Sequence, residues 1–187
     1  MHDALPCLII IDMQKGMANP AAGSRNNPQA EDNIARLLRA WRAAAAPVVH
    51  VRHISRSPAS LFAPGQPGVE FQDALQPLPQ EHVVEKNVPD AFINTALERW
   101  LRVRDLNALV IVGVSTNNSV ESSARTAGNL GFATVVVADA TYAYAMRDYA
   151  GVERSADEVH AMALANLMSD YAAIEDTQGV LAQLERV

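Results

Sequence analysis

The chain has 187 residues, with 15 lysines and arginines against 21 aspartates and glutamates, so its formal net charge is −6. This length predicts one domain spanning residues 1–187, because a single core stops growing only above about 250 residues. The acidic balance excludes nucleic acid and anionic membranes as partners, and a single cysteine excludes a disulfide framework and a cysteine-based zinc site.

Apolar runs alternate with helix-period segments along the chain. Strands are predicted at 5–11, 48–53, 82–86, 109–114, 134–138 and 172–174. Helices are predicted to begin at Asn27, at Asn94 or Thr95, and at Ser119, Ser155 and Thr177. This alternation predicts a doubly wound three-layer α/β/α sandwich with a mostly parallel sheet of about six strands.

The helix starts carry recognisable capping signals. Asn27 is the predicted N-cap of the first helix, with Pro28 at its first position. Ser155 and Glu158 have the capping-box spacing. The first helix has one apolar face, formed by Ile34, Leu37, Leu38 and Trp41.

Two long connections interrupt the regular pattern. Residues 54–80 hold five of the ten prolines, which fits a lid or binding loop as well as plain surface. In residues 139–154, Tyr142, Tyr144 and Tyr149 are expected to mark a subunit contact or to cover a pocket, unless they are scattered surface residues. If these tyrosines mark a subunit contact, the protein is a homo-oligomer, and this is our prediction.

Polar side chains follow three strands at the edge where ligands bind in such sheets. Asp12 ends the first strand, Lys86 ends the third, and Ser119 follows the fourth. A carboxylate, an ammonium group and a hydroxyl at one edge form an acid/base and nucleophile constellation. Each residue also has a simpler explanation. Asp12 bonds the backbone at a strand end, Lys86 is a solvated lysine, and Ser119 is an ordinary helix N-cap. No glycine-rich phosphate motif follows any strand, so no cofactor is expected.

The chain resembles the isochorismatase-like superfamily, also called the cysteine hydrolases, over nearly its whole length. The segments that carry this resemblance are Leu8–Gln14, Lys86–Phe92, Gly113–Val120 and Ala124–Gly131. The resemblance implies an Asp-Lys-Cys triad that hydrolyses C–N bonds of small amides through a thioester. Asp12 matches the aspartate and Lys86 matches the lysine. It also implies a cis peptide bond at Val114–Ser115 and an oxyanion hole formed by the Ser115 and Ser119 N–H groups.

Ser119 departs from this pattern, because it stands where most of the family has cysteine. A hydroxyl is far less acidic than a thiol and needs an adjacent base. Cys7 cannot substitute, since it lies about 16 Å before Asp12 along an extended strand. Ser119 is therefore a slower native nucleophile, a native residue in chemistry that needs no nucleophile, or an engineered replacement of cysteine.

These explanations leave three functions open. The leading hypothesis is a hydrolase acting on a small, uncharged or anionic metabolite through Asp12, Lys86 and Ser119. The second is a pocket that binds its ligand without rapid turnover. The third is a vinyl-ether hydrolase, as the isochorismatases proper lack the cysteine.

Metal binding is not expected. The resemblance places the metal motif of nicotinamidases at Arg52-His53, where its aspartate is missing, so neither a metal nor nicotinamide is predicted. His50 and His53 are three residues apart on a strand and should face opposite sides. His160 is expected to be a packed or capping residue. The N-terminus has no basic segment before its apolar run, which predicts a cytoplasmic protein without a signal peptide.

Overall fold

Six parallel strands form the central sheet in a computed structural model, which describes residues 5–19 and 23–184. The strands of this sheet are β1 (Cys7–Ile11), β2 (Val48–His53), β3 (His82–Lys86), β4 (Ala108–Val114), β5 (Ala133–Tyr142) and, after a small hairpin, β8 (Ala173–Glu175). Their order is β3-β2-β1-β4-β5-β8. Strands β2 and β3 therefore lie on one side of β1, and β4, β5 and β8 lie on its other side. The crevice at this reversal is where ligands bind in doubly wound sheets.

Helices cover both faces of the sheet. They are α1 (Ala30–Ala43), α2 (Leu97–Arg102), α3 (Glu121–Asn129), α4 (Ala156–Met168) and α5 (Thr177–Leu184). Buried residues of α1 and α5 pack on one face, and those of α2, α3 and α4 pack on the other. The predicted doubly wound α/β/α sandwich is confirmed, and its sheet is parallel throughout.

Strand β1 illustrates why the apolar runs become central strands. All five of its residues are buried. Cys7, Ile9 and Ile11 point into the layer of α2, α3 and α4, while Leu8 and Ile10 point into the layer of α1 and α5. Because both faces of the strand need apolar residues, its sequence is continuously apolar rather than alternating.

Two local predictions differ from the structure, and one element was not predicted. Asn27 is not an N-cap: α1 begins after Gln29, and the Asn27 amide donates to the carbonyl oxygens of Ala138 and Thr141 at 2.8 and 2.6 Å. Strand β5 extends four residues beyond its predicted end at Ala138. The sequence also did not predict the hairpin of β6 (Met146–Arg147) and β7 (Glu153–Arg154). By contrast, the Ser155 capping box is present.

The connection from 54 to 80 contains short 3₁₀ turns at Pro67–Val69 and Asp73–Leu75 but no strand. Its far end is held at Glu81, whose carboxylate accepts bonds from Arg42 at 2.7 and 2.8 Å and lies 2.9 Å from His50 Nε2. In the described part of the chain, no helix is long and apolar enough to cross a membrane.

Candidate active site

Asp12, Lys86 and Ser119 meet at the carboxyl ends of β1, β3 and β4. The Lys86 Nζ donates to Asp12 Oδ2 at 2.7 Å and to Ser119 Oγ at 3.2 Å. Strand β2 lies between β1 and β3, so the lysine side chain crosses about two strand spacings, or ~10 Å, to reach Asp12. All three residues are buried, with exposed fractions of 1%, 3% and 6%.

The two oxygens of the Asp12 carboxylate have different surroundings. Burial raises the pKa of this carboxyl above its usual range, and the bond and charge of Lys86 oppose the rise. Oδ2 is held by Lys86, whereas Oδ1 has no hydrogen-bond partner within the described residues. A buried acceptor without a partner is costly unless a ligand completes it. Oδ1 is therefore the oxygen available to exchange a proton with a bound molecule.

Ser119 lies in an irregular turn between β4 and α3. The Val114–Ser115 peptide bond is cis, and Thr116–Val120 forms a single π-type turn before α3 begins at Glu121. The Asn118 and Val120 N–H groups both donate to the Ser115 carbonyl, at 3.1 and 3.2 Å. The helix predicted to start at Ser119 therefore starts two residues later, and Ser119 is not an ordinary N-cap.

Ser123 fixes the backbone of Ser119. Its hydroxyl donates to the Ser119 carbonyl at 2.7 Å and accepts from the Ala91 N–H at 2.9 Å. Because Ala91 lies in the segment after β3, this one hydroxyl connects that segment to the turn. Ser123 did not stand out in the sequence. Its position four residues after Ser119, one helical turn away, is the signal that could have found it.

His53 lies close enough to Asp12 and Lys86 to interact with their charges, and in the sequence it was considered only as a metal ligand. It is in register with Lys86, and burial and the Lys86 charge lower its pKa, so the imidazole is neutral near pH 7. Its backbone N–H and carbonyl are held by the Gln14 side chain at 2.8 and 3.0 Å. Its ring packs edge-on against Phe62, with 6.2 Å between centroids. The end of β2 lies between the ends of β1 and β3, which supply Asp12 and Lys86. This position in the sheet is the signal that could have placed His53 near the site.

A cleft of about 700 Å³ opens beside Lys86. Residues of the 54–66 segment form one wall, and Glu85 to Asn87 form the other. The first part of the long proline-rich connection therefore lines a cleft together with Lys86, whereas Asp12 and Ser119 are not among the residues that line it. Within the described residues, no group of three or more His, Cys, Asp or Glu side chains is placed to hold a metal ion.

The other residues singled out in the sequence lie away from these three side chains. His50 faces the layer opposite to His53 and contacts Glu81. Cys7 is fully buried, and burial raises the pKa of its thiol to about 12. Tyr142 was expected in a polar stretch but is a buried residue of β5, because that strand runs further than predicted. Tyr149 is fully exposed.

Comparisons with known proteins agree with this architecture. The isochorismatase domain model matches residues 6–178. The chain is 36% identical over 174 residues to the isochorismatase family protein YrdC of Bacillus subtilis (strain 168), covering 93% of each chain. It is also 30% identical to the ureidoacrylate amidohydrolase RutB of Methylobacterium radiotolerans, over 96% of this chain and 82% of that protein.

A solved structure shows the same similarity in three dimensions. An isochorismatase-family protein from Chromobacterium violaceum ATCC 12472 superposes with a TM-score of 0.97 at 45% identity. The alignment covers 100% of this chain and 97% of that one.

Proposed function

Since the chain belongs to the isochorismatase family, we propose that it hydrolyses a C–N bond of a small amide or imide at Asp12, Lys86 and Ser119. The observation that carries the proposal is the Lys86 ammonium, which bonds the buried Asp12 carboxylate at 2.7 Å and the Ser119 hydroxyl at 3.2 Å. The amidohydrolase name of the relative RutB supports this reaction class.

In the proposed mechanism, Ser119 Oγ attacks the substrate carbonyl carbon while Asp12 takes the hydroxyl proton. Burial supports this role, since a carboxylate with a raised pKa is a stronger base than an exposed one. The carbonyl oxygen becomes an oxyanion, which the backbone N–H groups of Ser115 and Ser119 stabilise. Lys86 holds Asp12 in place and offsets the negative charge.

The intermediate then collapses and the C–N bond breaks. Asp12 returns its proton to the departing amine, which leaves an ester on Ser119. Water then attacks this ester while Asp12 accepts a proton from it, and Asp12 returns that proton to Ser119 Oγ as the ester bond breaks and the acid is released. Every proton passes through one carboxylate, consistent with the single unpartnered oxygen of Asp12.

The second candidate function is binding without rapid turnover. It is favoured by the bond between Ser119 and Lys86, because Lys86 is a donor and does not remove a proton from the hydroxyl. The resemblance to cysteine hydrolases adds weight, since a thiol at this position would ionise beside the same ammonium group. The two candidates differ only in whether Ser119 reacts.

A screen of primary amides for ammonia release, and of imides for the carboxylic acid that their hydrolysis forms, separates these candidates. The chain as it stands, Ser119→Cys and Asp12→Asn are assayed together, with Ser122→Cys as the matched control for adding a thiol on α3. We expect turnover by the chain itself, faster turnover by Ser119→Cys only, and a loss of about 10²–10⁴-fold in Asp12→Asn.

Other outcomes have clear meanings. Unchanged turnover in Asp12→Asn contradicts the assignment of Asp12. Turnover in Ser119→Cys alone supports the binding function for the chain itself. Turnover of isochorismate that is unaffected by Ser119→Ala supports vinyl-ether hydrolysis instead.

We also propose that the chain acts as a homo-oligomer. Tyr149 and Val152 lie in the turn of the β6–β7 hairpin with their side chains exposed, and Met162 is exposed on the neighbouring α4. Apolar side chains grouped in this way are typical of subunit contacts. Light scattering at micromolar concentration tests the proposal, and the mass of a monomer would contradict it.

A further inference from the structure

A buried hydrogen bond connects α4 to the turn that carries Ser119. Thr116 Oγ1 and His160 Nδ1 lie 2.8 Å apart, and the two residues are 44 positions apart in sequence. Thr116 has no exposed surface and His160 is 9% exposed. The proposed hydrolysis uses neither side chain. Replacement of both partners of a buried hydrogen bond by apolar groups of the same shape is close to neutral, so packing alone does not account for this polar pair.

The bond holds the beginning of the π-type turn. Thr116 is its first residue, and Ser119 follows three positions later. The far end is held by the bond from Ser123 to the Ser119 carbonyl. The backbone of the turn is closed by π-type bonds, from the Val120 N–H to the Ser115 carbonyl and from the Glu121 N–H to the Thr116 carbonyl. The two side-chain bonds add what these local bonds do not supply, which is attachment of the turn to α4 and to the segment after β3.

The placement of Ser119 leaves little tolerance for movement. The distance from its Oγ to Lys86 Nζ is 3.2 Å, already at the long end of the range for hydrogen bonds. A shift of the turn by about half an ångström away from Lys86 would break this contact. The side chains that fix the turn therefore decide whether position 119 is aligned with the charged pair.

We propose that His160 is a positioning residue, which acts through Thr116 to hold the side chain at position 119 against Lys86. Its imidazole touches no reacting atom. It limits the movement of the turn from the α4 side, as Ser123 does from the α3 side.

The test measures the reactivity of position 119 without any substrate, so its outcome does not depend on whether the proposed hydrolysis is correct. In a Ser119→Cys parent, iodoacetamide alkylates the introduced thiol, which is activated by the neighbouring ammonium group. The native Cys7 thiol stays silent because it is buried and its pKa is raised to about 12. The rate is followed by intact mass at fixed pH.

His160→Phe in this parent removes the hydrogen bond and retains an aromatic ring. We expect the alkylation rate to fall about fivefold to tenfold, as for loss of one buried hydrogen bond. Thr116→Val should give the same fall, and the double variant should fall no further, since both changes remove one interaction. His160→Asn, which keeps a polar atom near the Nδ1 position, should recover most of the rate.

His50→Phe is the matched control. His50 is fully buried, and its side chain has one bond, to Glu81 at 2.9 Å. It lies on the face of the sheet opposite to His160, so its loss disturbs the core without touching the turn. A merely structural role for His160 predicts that both phenylalanine variants lower the Tm and leave the alkylation rate unchanged. That result overturns the proposal.

Two further outcomes would also overturn it. If His160→Phe does not fold, Thr116→Val decides, and a rate equal to the parent contradicts positioning. If the thiol of the Ser119→Cys parent reacts no faster than that of Ser122→Cys, the turn does not align position 119 at all.

Discussion

Replacing Lys86 by methionine leaves the Asp12 carboxylate buried without a cation. In the structure this carboxylate is 1% exposed and bonds the Lys86 ammonium at 2.7 Å. Burial already raises its pKa, and Lys86 is the group that opposes the rise. Without the lysine, we expect the pKa of Asp12 to rise further, so that the folded variant keeps this carboxyl protonated at a higher pH than the parent does.

The size of the loss follows from this protonation. An ordinary aspartate has a pKa near 4, and keeping one neutral costs about 1.4 kcal/mol for each pH unit above that value. The folded pKa of Asp12 in the variant lies above the unfolded one, so its stability is greatest below pH 4 and falls as pH rises. Relative to the parent, Lys86→Met should lose about 3–5 kcal/mol at pH 7, as for removal of one partner of a buried ion pair, and much less at pH 4.

Urea unfolding at pH 4, 5, 6 and 7 measures this slope. The double variant Asp12→Asn/Lys86→Met is the control, because it has no buried charge left and should recover most of the loss at pH 7. A loss that does not change between pH 4 and pH 7 would refute the reasoning. So would a double variant no more stable than Lys86→Met.

Three further predictions concern the fold. Gly113→Ala should lower the free energy of unfolding by at least about 3 kcal/mol or prevent folding, because φ is +121° and a Cβ would lie 2.1 Å from a carbonyl oxygen of β1. Gly131→Ala is the control: its φ is +82° but its Cβ would lie in open space, so it should lower the free energy of unfolding by about 1–2 kcal/mol in the same urea assay. Burial would raise the pKa of Glu81, but bonds from Arg42 and others hold it at about 2. Glu81→Gln should therefore lose about 2 kcal/mol near pH 7 and progressively less as pH falls from 5 towards 2, and a pH-independent loss would contradict this. Ser155→Ala should lower the free energy of unfolding by about 1 kcal/mol through loss of the capping box; no change would show that the cap is dispensable.

The layer architecture could be predicted because it depends on local sequence patterns. The apolar run of β1 and the helix-period residues of α1 are each sufficient to assign the element, and the alternation of such elements determines the fold class. Even the weak run at 172–174 lies within one residue of β8.

Errors arose where polar residues have distant partners. Asp139 looked like a strand end, yet β5 continues through it, and its carboxylate accepts from the Thr177 N–H and hydroxyl at 2.8 Å. Asn27 looked like a cap, but its amide bonds carbonyls of β5 more than 100 residues away. Local sequence carries no information about partners that only the folded chain brings close.

The candidate site was predictable to a similar extent. The residues after β1, β3 and β4 could be identified, because parallel strands end at one edge. The reach of Lys86 across β2 could not be predicted, since it depends on side-chain direction. The bond between His160 and Thr116 could not be predicted either, since it depends on how α4 packs.

Each bond of the Lys86 ammonium closes a long stretch of chain, 74 residues to Asp12 and 33 residues to Ser119. No single strand–helix unit contains two of these three residues, and loop closure on this scale is slow and entropically costly. The side chain at position 119 therefore gains its special surroundings only after β1, β3 and β4 have paired in the finished sheet. A chain in which these strands have not come together carries an ordinary hydroxyl there, so the surroundings of this position report that the sheet has formed.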